Sequence, residues 1–342
     1  MTHALRRPAV ALSVTAAVLV VAVVVGVLVG PAGLTVRGVA LEFVDALPFV
    51  DVDSGLTPRQ DAILWNIRMP RVVLGLLVGA MLAIAGAAYQ GVFRNPLADP
   101  YLLGVSSGAG LGATLAIVAG GVVGAAGVPI AAFAGGILAV AATYTLGRSV
   151  GGARSEVVVV LAGVAVAAFA NAAQTFVQQL YDDTLRQVYS WLLGRLSTDG
   201  WHDVLEVLPY VVVSTAVILL YRRVLDVMAV GDVEAASLGI DPARVRFVLV
   251  AFATLGTAAV VSASGLIGFV GIVVPHAVRM LVGPGHRVLL PVSLMAGAAF
   301  LVLADVVARV VMSPAELPIG VVTAAIGAPF FLLVLRRSRV RA

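Results

Sequence analysis

The feature that most constrains this chain is a succession of long apolar runs, separated at short intervals by turn-forming residues. They cover residues 9–30, 62–88, 101–119, 127–147, 156–181, 203–222, 243–263, 267–282, 287–312 and 317–336. A hydrocarbon core about 30 Å thick needs about 20 apolar residues per crossing helix. The separators carry breakers such as Asn95-Pro96, Asp99-Pro100, Gly151-Gly152, Asp241-Pro242 and Gly283-Pro284-Gly285, which end helices and start turns. Backbone exposed to lipid must satisfy its own hydrogen bonds, so the runs are expected to be helices. The expectation is an all-α integral membrane protein with about ten transmembrane helices, forming one transmembrane domain over residues 1–342. Composition agrees: 61% of the chain is hydrophobic and 12% charged, against about 25% charged in a soluble domain. The first run follows Arg6-Arg7, outlasts the roughly 7–15 apolar residues of a signal peptide and lacks a small-residue cleavage site. It is expected to stay as a helix.

All 22 basic residues are arginine. A phosphate-binding loop of the P-loop type needs a lysine after its glycines, so this chain cannot carry one. With ten spans and an inner N-terminus, fifteen arginines fall in inner segments and seven in outer ones. That bias matches the positive-inside rule and puts both termini on the cytoplasmic side. The net charge of +4 reflects those loops and does not indicate nucleic acid. There is no cysteine, and no His/Cys/Asp grouping has metal-ligand spacing, so neither a bound metal nor a bound cofactor is expected. No serine–histidine or comparable pair stands in a context that suggests catalysis. Ion-driven transport usually needs midplane charges on broken helices, and Asp305 is the clearest acid inside a span.

Local chemistry marks several segments. Gly104, Ser106, Ser107, Gly108, Gly110, Gly112, Gly135 and Gly136 would let the third and fourth spans approach closely. Between spans six and seven, Gly231 to Ile240 reads as a short helix. Asp232 suits its N-cap, Glu234, Ala235 and Ala236 continue it, and Gly239 suits the left-handed position after it. Asp241-Pro242 then reads as cap and first turn of the next helix. In span five, Asn171, Gln174 and Gln178 share one face, where amides would be costly against lipid.

Three stretches, read together, resemble the permease family of ATP-driven importers for iron–siderophore complexes, haem and vitamin B12. They are Arg68-Met-Pro-Arg71 through Asn95-Pro-Leu-Ala-Asp-Pro100 to Gly110; Leu161-Ala-Gly163 with Trp191-Leu-Leu-Gly194; and Gly231 to Gly239, Ser264 to His276, and Glu316 to Pro329. The resemblance implies a non-enzymatic translocation subunit of the cytoplasmic membrane. It would pair with a second copy or a homologous permease, two ATPases that carry ATP and Mg, and an extracytoplasmic substrate-binding protein. An iron–siderophore cargo is expected first, with haem and vitamin B12 as alternatives. By the same resemblance, Gly231, Asp232, Glu234, Ala235, Ala236 and Gly239 form the contact that couples to the ATPase. Arg68, Arg71 and Arg309 would dock the binding protein. Asn171, Gln174 and Gln178 would line the pathway, and Ser155 with Glu156 would sit at the cytoplasmic gate. Two plainer readings stand beside the docking arginines: snorkelling anchors, or an Asp305–Arg309 pair at i,i+4.

Overall fold

A computed structural model describes residues 8–30, 33–47, 50–120, 127–151, 156–197 and 200–339, with side chains left out at Gly151, Glu156, Val157, Leu335 and 337–339. Among them the helices are α1 (Pro8–Leu28), α2 (Val36–Asp45), α3 (Pro58–Ile63), α4 (Met69–Val92), α5 (Val105–Ala119), α6 (Gly127–Gly151), α7 (Glu156–Leu180) and α8 (Leu185–Leu192). They continue with α9 (His202–Leu220), α10 (Arg222–Met228), α11 (Asp232–Ser237), α12 (Pro242–Ser264), α13 (Val270–Val282), α14 (His286–Val310) and α15 (Ile319–Arg339). Seven helical stretches are long and apolar enough to cross a bilayer, and α5, α13 and α15 add three shorter apolar ones. The expected ten runs are therefore all helical, and the expected ends hold to within a few residues.

Helix α4 is the axis. It packs along α14, α12 and α13, and its window is the most buried of the spans. Glycine permits these contacts. A Cβ on Gly86 would collide with the Gly271 carbonyl of α13, and one on Gly79 with the Gly297 carbonyl of α14. The small residues of α5 and α6 work the same way, with Gly108 and Gly135 against each other's carbonyls. In lipid, where burial of apolar surface gives no net drive, such backbone proximity supplies the dispersion contact.

Helix α3 runs into α4 through one π-helical turn, Leu64–Arg68. The Met69 amide reaches back to the Leu64 carbonyl, and Pro70 has no amide to give. The Trp65 carbonyl left over accepts instead from the Trp201 indole Nε1 at 2.9 Å. Thr57 and Gln60 close the start of α3 as a reciprocal capping box, the arrangement that satisfies two orphan amides at once.

With 13 residues, α13 spans only about 20 Å at 1.5 Å per residue. Irregular chain completes the crossing. Gly265 and Phe269 take positive φ of 68° and 69°, and the stretch between them is unwound. The chain beside it is tied down: the Ser264 carbonyl before it accepts from the Arg195 amide at 2.7 Å, and the nearby Ile319 and Gly320 amides donate to Gly194 and Leu193 carbonyls. The Tyr101 hydroxyl donates to the Ile267 carbonyl and accepts from the Ile267 amide. Non-helical chain at membrane depth is tolerated only when protein supplies partners in this way.

Candidate functional site

Two short helices, α10 and α11, pack together at one end of the bundle. Helix α11 is held by its chain ends and by one acid. Gly239 has φ +80°, as a left-handed C′ residue requires. Asp241 caps α12 through the Ala243 and Arg244 amides at 3.0 and 3.2 Å. Asp232 differs from expectation: Gly231 holds the N-cap position, and no side chain caps α11. The Asp232 carboxylate turns sideways, accepting both its bonds at 2.7 Å from Arg246 of α12 and lying 3.3 Å from Arg94 beyond α4. Two guanidinium groups bring full positive charges to the carboxylate, whereas the open amides of a helix start offer only partial ones. Ala235 is fully buried, whereas Val230, Val233 and Leu238 are 73%, 79% and 69% exposed. Ala236 and Glu234 are exposed as well. Thus α11 presents an apolar rim with an acidic start, fixed from behind.

The opposite end carries the three arginines expected to dock a partner, and two of them are buried. Arg68 and Arg309 are each 5% exposed. Arg68 donates to the Val27 and Val29 carbonyls. Arg309 donates to Val29 and Gly26 carbonyls at 2.9 and 3.0 Å. Both arginines therefore close the C-terminus of α1, whose last carbonyls have no helical partner. Arg309 also pairs with Asp305 at 3.0 Å, which is the i,i+4 alternative. Arg71 is engaged on both sides. It forks onto Glu316 at 2.9 and 2.8 Å and onto Asp305 at 2.9–3.2 Å. Of the group, Glu316 is the member at the surface, with 48% side-chain exposure. The Arg71 hydrogen bonds hold its carboxyl below the ordinary value of 4.5.

The three amides of α7 do not form one wall. Gln174 is buried against Gly110 of α5, Gln178 is half-buried and Asn171 is exposed. A cavity of about 730 Å3 is lined instead by residues of α5, α6, α8, α9 and α12, among them Ser190, Trp191, Arg195, His202 and Glu206. Ser155, one of the gate residues, lies outside the described residues, as does the side chain of Glu156. Among the described residues, no three His, Asp or Glu side chains could hold a metal ion.

Sequence reasoning missed α2, α8 and α10, and the contacts of Glu316, Arg94 and Arg246. It also missed the Asp226–His286 contact: Asp226 of α10 accepts from the His286 amide at 2.6 Å and its ring Nδ1 at 2.9 Å. A signal existed for Arg246, which stands fourteen residues after Asp232 in a helix known from its cap. For the others the partners are far apart in the chain, and no local pattern marks them.

A helical membrane protein with close glycine packing, unwound inner segments and a rigid short helix at one end is built as a transport subunit. Residues 11–337 match the model of the FecCD transport family, and the chain belongs to that family, the membrane permeases of ATP-binding cassette importers. It is 44% identical to the cobalamin import system permease protein BtuC of Halobacterium salinarum, over 98% of both chains. It is 38% identical to the hemin transport system permease protein HmuU of Yersinia pestis, over 83% of this chain and 86% of that one. The Escherichia coli Fe(3+) dicitrate permease protein FecD is 37% identical over 81% and 86%. A solved inward-facing structure assigned to the metal-chelate type of ABC transporter superposes with a TM-score of 0.83 at 30% identity. That match covers 95% of this chain and 98% of the other.

Proposed function

We propose that this chain is the conduit of an importer that carries cobalamin, working as two permease copies with two ATPases below and a binding protein above. The observation that carries the reading is α11. An apolar rim of Val230, Val233 and Leu238 stands exposed among arginines, at an end where the sequence puts the cytoplasm, so lipid is not its cover. A protein partner is. Clamped to α12 and α4 through Asp232, the helix can pass a partner's displacement into the spans. Gly231, Glu234, Ala236 and Gly239 complete that contact, and both termini lie on the same side as α11. The ATPase supplies hydrolysis, with its own ATP and Mg, and this chain supplies the path.

At the far end, Arg71 and Glu316 form the charged surface on which a binding protein would register, since complementary charge fixes orientation and speeds encounter. Asn171 and Gln178, on the open side of α7, would face the pathway between two copies. Gln174, turned toward α5, would support that wall, and Ser155 with Glu156 remains the proposed gate at its inner mouth.

Cobalamin is placed ahead of the expected iron–siderophore complex because the cobalamin permease matches over nearly the whole length at 44% identity. An iron chelate is the second reading, favoured by the kinship with the dicitrate and metal-chelate proteins. Cells lacking the gene, given radiolabelled cyanocobalamin or a ferric siderophore, would separate the two: the cargo whose uptake collapses is the native one. The coupling assignment is tested by Val233→Asp. The side chain is open to solvent, so the variant should insert and fold normally yet lose transport, with ATP hydrolysis no longer answering the binding protein. Unaltered transport would remove the coupling role.

A further inference from the structure

Helix α11 has two exits. Its C-terminal end leads through Gly239 into α12, and Asp232 ties it to the same helix through Arg246. Its N-terminal end leads through Gly231, at φ +157°, into α10, which touches a different set of helices. Leu225 and Met228 of α10 are buried to 0% and 1% exposure. At this point α4, α10 and α14 converge: a Cβ on Gly91 would meet His286 Nε2 at 2.6 Å and Leu225 Cδ2 at 3.1 Å. The polar bonds joining α10 to α14 here come from Asp226. Its Oδ1 accepts from the first amide of α14 at 2.6 Å and from the His286 Nδ1–H at 2.9 Å. One carboxylate oxygen thus caps α14 from a neighbouring helix and fixes the ring of its first residue. An orphan amide at a helix start and a charge-assisted acceptor make a short, directional joint.

What that joint holds runs the length of the molecule. Helix α14 has 25 residues, about 37 Å at 1.5 Å per residue. Its last turns carry Asp305 and Arg309, which grip Arg71 of α4 and the end of α1. We infer that Asp226 is a positioning residue that couples α11 to α14, so that displacement of the ATPase-facing helix reaches the Arg71–Glu316 surface along that helix. The α12 route moves the centre of the bundle, and the α10 route moves its far end. This inference rests on the reading of α11 as the ATPase contact and adds the path by which that contact is felt at the docking end.

The test uses the assembled complex of permease, ATPase and binding protein in proteoliposomes, reading ATP hydrolysis with and without cargo-free binding protein. Asp226→Ala removes the acceptor, whereas Asp226→Asn keeps an oxygen that can accept both bonds. The expected result is that Asp226→Ala lowers the stimulation ratio by at least about three-fold, the scale of mutational changes in coupling, while Asp226→Asn stays near wild type. A merely structural role would reduce yield or melting temperature equally with and without binding protein and leave the ratio unchanged. Should Asp226→Ala not assemble, His286→Leu against His286→Asn poses the same question, since asparagine keeps a side-chain donor. A wild-type ratio in the acceptor-free variant overturns the inference. If Val233→Asp then still abolishes the response, the α11 reading stands without it; if Val233→Asp also responds normally, that reading falls too.

Discussion

Among the described residues one constellation occurs twice, a single aspartate between two arginines, and the two copies sit in opposite surroundings. Asp305 lies between Arg71 and Arg309, with side-chain exposures of 3%, 12% and 4%. Asp232 lies between Arg94 and Arg246, and two of its three members are more than a third exposed: Asp232 at 34% and Arg94 at 39%, with Arg246 at 10%. The geometry is similar, yet the energetics are not. A buried ion pair gains little over apolar packing, but removing one partner strands a charge where water cannot reach it. A half-exposed pair loses most of its Coulomb energy to solvent and ions. The first cluster is therefore a condition of folding, and the second sets a direction. Asp232 can be given up by the fold, and what is lost is the angle at which α11 stands.

The contrast is most easily broken at Asp305. Asp305→Asn should destabilise the protein by about 3–5 kcal/mol, the cost of orphaning a buried charge. Thermal melting in detergent would show it, and a melting point near wild type would mean that water already reaches the cluster. Asp232→Asn should cost less than Asp305→Asn, because Asp232 and Arg94 are open to solvent, with a salt dependence that Asp305 lacks, while transport by the assembled complex falls. Equal losses in melting at the two aspartates would erase the distinction. The smallest effect belongs to Glu316. Because Arg71 holds its carboxyl below 4.5, the stabilisation is present above the unfolded value and fades as pH falls through the folded one. Protection of the amides in residues 311–318 against exchange, relative to free amides, should therefore fall below about pH 4.5, and Glu316→Gln should show that low protection at every pH. A wild-type profile that stays flat through that range would show that the fork is not formed in membranes.

How much of this was legible beforehand depends on the range of the chemistry. The ten apolar runs read correctly because a lipid solvent imposes a length and a composition on each helix separately. The Asp241-Pro242 cap and the left-handed Gly239 read correctly because their partners are within three residues. Helices α2, α8 and α10 were invisible: at 10, 8 and 7 residues they are too short to show a period. The burial of the arginines was hidden for a different reason. Arg68 and Arg309 look like surface cations in sequence, and only the fold brings the open carbonyls of α1 beside them. Arg71 and Asp305 stand 234 positions apart, and no spacing rule spans that distance. Asp232 had a sound local role available and a stronger one at a distance, so the local rule lost.

The unwound stretches around Leu193, Leu266 and Ile319 share their amides and carbonyls with one another. If any one of them withdrew alone, it would leave the polar backbone of its neighbours without these partners. Whatever rearrangement opens a path for cargo must carry all three as one block, or leave all three at rest.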